Sequence, residues 1–153
     1  MTPYDRLARL GLTLPKAVPA QANYMPWLLR GNQLHVSGHG PFEASGQLRT
    51  GKVGRDRTTD EAYDDARITG LNLLAQVHAA VGDLGRVAHV LKVFGMVNAT
   101  DDFRDHPKVI NGCSDLFVAV LGEAGGHTRS AVGMGSLPMG ISVEIEASFE
   151  IAM

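Results

Sequence analysis

A chain of 153 residues with 44% apolar content falls within the roughly 100–200 residues of one domain and carries enough apolar mass for a core, which argues against disorder. Fourteen Lys+Arg against 16 Asp+Glu leave a net charge of −2, which offers no electrostatic footprint for nucleic acid or an anionic membrane. The single cysteine, Cys113, rules out an intramolecular disulfide and a Cys-rich zinc site and fits a reducing, cytoplasmic setting.

Taken in chain order, Thr2-Pro3 followed by Tyr4, Leu7, Ala8 and Leu10 predicts a short helix with an N-cap, a proline in its first turn and Gly11 at its end. Leu12 to Ala20, interrupted by Pro15 and Pro19, reads as an extended surface connector. Tyr24–Leu29 and Gln33–Gly38 are apolar-rich runs on either side of Arg30-Gly31-Asn32, the pattern of a hairpin. Gly38 to Gly54 is polar and Gly-rich, a long loop with at most a short strand near Leu48.

Thr58 with Glu61 forms a capping-box pattern. Ala62, Ala66, Leu71, Leu74, Val77, His78 and Val81 then follow helical spacing up to Gly82, giving a helix of about six turns. Val87 to Ala99 is β-branched and uncapped, a long strand in which Gly95 marks a bulge. Pro107 opens a second long helix that Gly122 closes, its buried stripe formed by Val109, Ile110, Cys113, Leu116, Phe117 and Val120. Ser130–Met134 and Ser142–Ala152 are strands. In the last, Val143, Ile145, Ala147, Phe149 and Ile151 take one face, and Glu144, Glu146, Ser148 and Glu150 the other.

This order predicts one α+β domain over residues 1–153, residues 1–20 being helix and connector, with a mixed sheet and two helices on one face. Nothing is left to cover the opposite face, so association of subunits is expected. Asp5, Arg6 and Arg9 with no apolar h-region exclude a signal-peptide reading, and no window reaches the ~18 apolar residues of a membrane span.

Arg129, at a strand start after Gly125-Gly126-His127, suits bidentate recognition of a carboxylate, although a lone arginine also reads as a surface charge. Glu144 and Glu146, one repeat apart, would raise each other's proton affinity if buried and could activate water; a solvated strand face is the other reading. Tyr24, Ser37 and Asn111 are polar groups beside apolar runs, able to serve a cleft or the fold itself. The six histidines assemble no metal site: His35 and His39 share a strand face but lie about 13 Å apart, and neither HExxH nor CxxC is present. Cys113 reads as a small buried hydrophobe. No GxGxxG or GxxxxGK[ST] supports a nucleotide cradle.

Together, Ala22-Asn23-Tyr24, Gly31 through Gly38 (GNQLHVSG), Val109-Ile110-Asn111, Arg129-Ser130-Ala131-Val132, Leu137-Pro138 and Val143-Glu144-Ile145-Glu146-Ala147 resemble the RidA family, also called YjgF or reactive-intermediate deaminases. The short N-terminal helix and Pro107-Lys108-Val109-Ile110-Asn111-Gly112 are similar to a longer, mostly uncharacterised subgroup. The resemblance implies a chorismate-mutase-like fold and a homotrimer whose sheets form a central barrel with clefts between subunits. It further implies hydrolysis of 2-enamine and 2-imine acids to 2-keto acids and ammonia, of the 2-iminobutanoate/2-iminopropanoate deaminase type. No cofactor, metal, nucleic acid or membrane partner is implied, only a small imine, enamine or carboxylate ligand.

By the same resemblance Arg129 would hold the substrate carboxylate and Glu144 the attacking water, with Tyr24, Ser37 and Asn111 lining the cleft and backbone groups of Gly38 and Ala131 bonding the leaving nitrogen. Ala131 stands where active relatives often carry a cysteine, and Ser37-Gly38-His39-Gly40-Pro41 departs from the usual Ser-Gly-Gln-hydrophobe-Pro pattern, which points to a different or larger substrate. Two other functions fit the same residues: a non-catalytic protein that binds small carboxylate metabolites and, third, an endoribonuclease.

Overall fold

In the computed structural model, which describes residues 1–153, the capping box predicted at Thr58 forms, and the N-cap predicted at Thr2 proves to be a capping box as well. The Thr58 hydroxyl accepts from the Glu61 N–H at 3.1 Å while the Glu61 carboxylate accepts from the Thr58 N–H at 3.0 Å, opening helix α2 (Thr59–Val81). Gly82, at φ +80°, ends it. Thr2 and Asp5 open α1 (Pro3–Arg9) in the same way. Helix α3 (His106–Leu121) has no side-chain N-cap bond, only Pro107 in its first turn.

The strands are β1 (Trp27–Arg30), β2 (Gln33–His39), β3 (Val87–Asn98), β4 (Thr128–Met134) and β5 (Val143–Ile151), in the spatial order β1-β2-β5-β3-β4. All neighbours are antiparallel except β3 and β4, so the sheet is mixed. Strand β1 begins at Trp27, later than expected, and leaves Tyr24 in the bends before it. Between β1 and β2, Gly31 alone takes a positive φ of +60°, which matches a two-residue turn with glycine first.

The period-two pattern of β5 decides the layering. Val143, Ile145, Ala147, Phe149 and Ile151 are buried beneath α2 and α3, and Phe149 meets Phe117 edge-on at 5.9 Å. Cys113 is fully buried in the α3 stripe, where desolvation pushes its thiol far up. The two helices cross closely because residue 112 is glycine: a Cβ there would collide with the Tyr63 carbonyl oxygen. No helix is long and apolar enough to cross a membrane.

The bulges of β3 lie between Val87 and His89 and between Val90 and Lys92, not at Gly95. Gly95 stays in register and is small because Ile110 of α3 packs directly onto it, 2.6 Å from where a Cβ would stand. A further bulge interrupts β2, where Ser37 and Gly38 together oppose Glu146. It shifts the alternation, so His35 is exposed while His39 turns inward at 7% exposure; the two do not share a face as expected.

Helix α2 departs most from the predicted stripe. Leu71 and Val81 are only partly buried, and His78 is exposed, hydrogen-bonded to the Tyr4 hydroxyl at 2.8 Å. Ala62, Ala66, Leu74 and Val77 are buried as expected, and beside them Asp65, Thr69, Asn72 and Gln76 form a buried polar row. Asp65 accepts from Arg57 at 2.6 and 2.7 Å, from Arg49 at 3.3 Å and from the Ser142 hydroxyl at 2.6 Å. Removing one member of such a buried ionic cluster leaves the other charges uncompensated. Asp65→Ala is therefore expected to lower the unfolding free energy by about 3–5 kcal/mol, read as a shifted urea midpoint at neutral pH.

Candidate active site

The bulge at Ser37-Gly38 opens the floor of a cavity of about 550 Å³ lined by Tyr24, Ser37, Gly38, Glu144 and Glu146. Its apolar wall comes from Val18, Ala22, Phe42, Met139 and Ile141. The connector expected to run over the surface is thus half-buried and walls the cavity at Val18. Met139 sits at the rim with φ +58°, in the left-handed region that a non-glycine residue rarely adopts. The turn holding it is tied down by the Gly51 N–H on the Gly140 carbonyl at 2.9 Å.

The backbone of this cavity is anchored to α2. The Asn72 amide donates to the carbonyls of Phe42 at 3.0 Å and Gly40 at 3.4 Å, and the Gln76 amide donates to the Val18 carbonyl. His39 Nδ1 lies 2.7 Å from the Ser37 carbonyl, a pure acceptor, so the proton belongs on Nδ1 and Nε2 accepts from Gln76 at 3.0 Å. Burial pushes the His39 pKa down, partly opposed by the Ser37 carbonyl, and keeps the ring neutral. These residues were missed in the sequence because a buried Asn or Gln in a helix leaves no periodic signal; only their i, i+4 spacing could have suggested a shared face.

Glu144 is half-buried in the cavity. Desolvation raises its pKa, the neighbouring Glu146 carboxylate raises it further, and no hydrogen bond from the chain offsets either effect. Its Oε2 lies so close over Gly38 that a Cβ on that residue would collide with it. Ser37 donates its hydroxyl to the Met25 carbonyl at 2.6 Å and keeps its lone pairs free, and the Tyr24 hydroxyl accepts from the Gln21 N–H at 3.3 Å.

The remaining expected site residues stand elsewhere. Arg129 pairs with Val93, whose side chain is buried on the helix side, whereas Glu144 pairs with Met96 on the open side. The Arg129 guanidinium accordingly reaches α3, donating to the Ser114 hydroxyl at 3.0 Å and the Pro107 carbonyl at 3.1 Å. Asn111 lies between these two on the same helix face, and Ala131 packs on the core beside them. The chain therefore holds two groups of site residues: Tyr24, Ser37, Gly38 and Glu144 together, and Arg129, Asn111 and Ala131 together. No cluster of His, Cys, Asp and Glu could hold a metal ion.

Two outcomes follow. Gly38→Ala should displace the Glu144 carboxylate, visible as a shifted Glu144 side-chain resonance with little change in the rest of the spectrum. Glu146→Gln removes the like charge, so the Glu144 carboxyl should titrate at lower pH than in the wild type when followed by carboxyl-carbon NMR; an unchanged or higher titration point would contradict the stated cause.

The sequence matches the family described as "YjgF/chorismate mutase-like, putative endoribonuclease" over residues 4–145. Protein TCP17 of Trypanosoma cruzi is 42% identical over 146 residues, which cover 95% of this chain and 91% of that protein. The crystal structure of the protein Atu1372, of unknown function, from Agrobacterium tumefaciens shares the fold at a TM-score of 0.91 and 48% identity, covering 97% of this chain and 92% of that one. That of a "putative endoribonuclease" from Shewanella oneidensis gives a TM-score of 0.95 at 34% identity, over 99% and 100% of the two chains. With a match that runs through both Arg129 and Glu144, this chain belongs to the YjgF family, also called RidA.

Proposed function

We propose that this chain hydrolyses 2-imino acids, and the 2-enamine acids that tautomerise to them, to 2-keto acids and ammonia, in a cleft that two copies of a homotrimer complete. The observation that carries the reading is the half-buried Glu144, whose carboxylate is free of internal hydrogen bonds and whose proton affinity is raised. A general base is most effective when its pKa approaches the working pH. Arg129 supports the reading from the other side: two of its N–H groups are anchored on α3, and the remaining three are free for a carboxylate. Because Arg129 and Glu144 lie on opposite sides of one sheet, a substrate at Glu144 meets the Arg129 of a second copy.

The imine carbon is already electrophilic, so most of the acceleration is orientation. Glu144 takes a proton from water as the water oxygen bonds to the carbon of the protonated imine and the C=N π electrons move to nitrogen, giving a neutral carbinolamine. The same carboxyl then passes that proton to nitrogen, the C–N bond breaks to release ammonia, and the hydroxyl proton returns to the Glu144 carboxylate as the carbonyl forms. Atoms balance with one water consumed and no cofactor required. The cavity's apolar wall of Val18, Phe42, Met139 and Ile141 suits an uncharged substrate side chain.

The test is a coupled assay in which an amino-acid oxidase generates a panel of 2-imino acids and semicarbazide competes for them. Wild-type protein is expected to suppress semicarbazone formation, with Arg129→Ala and Glu144→Gln each reducing the rate by roughly a hundredfold or more. Remixing the two variants after mild dissociation should restore part of the activity, because one interface then carries both intact groups. Full turnover in either single variant would overturn the assignment. Affinity for 2-keto acids by calorimetry without turnover of any imine would instead identify the carboxylate-binding function that Ala131, lacking the relatives' thiol, also allows.

A further inference from the structure

Beside the anchored guanidinium runs a hydrogen-bond chain that the proposed hydrolysis does not use. Ser114 Oγ accepts from Arg129 Nη1 at 3.0 Å, so its own proton must go elsewhere, and His127 Nε2 lies 2.8 Å away. His127 Nδ1 is 2.6 Å from the Gly125 carbonyl, which can only accept. In the neutral ring the proton therefore sits on Nδ1 and Nε2 accepts, so the chain runs from Arg129 to Ser114 to His127 to Gly125. The far end is rigid. Gly125 closes a 3-10 turn directly behind α3, too close to the Phe117 carbonyl to carry a side chain, and the Phe117 ring meets His127 edge-on at 6.0 Å.

We infer that Ser114 and His127 are positioning residues for Arg129, fixing its guanidinium plane so that its free N–H edge is presented to a substrate carboxylate. The inference rests on the reading of Arg129 as the carboxylate ligand and adds to it the device that orients the ligand. A serine hydroxyl can rotate through three staggered positions. With His127 accepting its proton, Ser114 Oγ keeps a lone pair aimed at Nη1, while the Pro107 carbonyl holds Nη2 at 3.1 Å, so the guanidinium is pinned at two corners. Pro107 and Ser114 stand seven positions apart on one face of α3, and a helix holds that spacing rigidly. A pre-oriented fork loses less freedom when a carboxylate docks than a mobile one does. Neither residue touches the substrate in this arrangement, so their removal should act on binding rather than on the bond-making step.

The experiment compares wild type, Ser114→Ala, Ser114→Thr, His127→Leu, His127→Gln and Arg129→Ala. The Kd for a 2-keto acid product and for its uncharged 2-keto amide would be measured by calorimetry, with KM and kcat for the corresponding imino acid. Ser114→Ala and His127→Leu should weaken keto-acid binding and raise KM by roughly tenfold, the loss of one hydrogen bond to a charged group, while kcat stays within about twofold and amide binding does not move. Ser114→Thr and His127→Gln, which keep a hydroxyl and an acceptor, should recover most of the affinity, and they keep the comparison informative if the truncated variants fail to fold. Wild-type keto-acid affinity in Ser114→Ala, with Arg129→Ala weakened, would overturn the positioning role and leave the carboxylate reading standing. Wild-type affinity in Arg129→Ala as well would overturn both. A fall in kcat at unchanged KM in Ser114→Ala would also overturn it, since that result belongs to a group acting on the reacting atoms.

Discussion

The period-two alternation of β5 is the constraint on which the molecule depends. Five apolar side chains on one face form the base of the core beneath α2 and α3, and the same backbone geometry sends Glu144 and Glu146 to the other side of the sheet. A slip of one residue would bury three carboxylates, Glu144, Glu146 and Glu150, and expose Phe149, so the register is strongly specified. The catalytic candidate is thus placed by the packing of the residues on either side of it. The bulge in β2 then completes the setting: two residues stand where one would fit, and the second is a glycine that leaves room for the Glu144 carboxylate.

The walls of the cavity rely on a different device. Long irregular segments such as 10–26 and 40–58 carry many backbone groups that cannot pair in a sheet, and buried ones need partners. Helix α2 supplies them through Asp65, Asn72 and Gln76, which together hold Arg49, Arg57, Ser142, the Gly40 and Phe42 carbonyls, the Val18 carbonyl and His39. This row is why α2 is poorly amphipathic; the expected stripe holds at Ala62, Ala66, Leu74 and Val77, lies at the core's margin at Leu71 and Val81, and fails at His78. A helix that anchors loops buries polar groups as well as apolar ones.

The separation of Arg129 from Glu144 has a topological origin. Strand β4 is added parallel to β3 at the sheet's edge, and the odd-numbered residues of β4 share the face of Val93, toward α3. Glu144, opposite Met96, belongs to the other face. Each half carries its own support: the bulge and α2 on one side, and α3 with the Ser114–His127 pair on the other. Under the proposed function these halves meet only between copies, which gives the uncovered sheet face and the exposed β4 edge a common purpose.

Element identity was largely legible in local patterns. The N-cap at Thr2, the capping box at Thr58, the Gly82 stop, the Pro107 start and the alternation of β5 each act within a few residues of chain, where propensity and periodicity are decisive. So were the candidate residues, because Arg129, Glu144, Ser37 and Tyr24 stand out by chemical type and by their place in family-like strings. What sequence could not express was which of these groups meet. The bulge that turns His39 inward, the role of Gly95 as a seat for Ile110, the polar row of α2 and the pairing of Ser114 with His127 all depend on contacts between residues distant in the chain. Local energetics choose helix or strand from neighbours along the backbone, whereas face, depth and hydrogen-bond partner are settled only when separate elements compete for the same space.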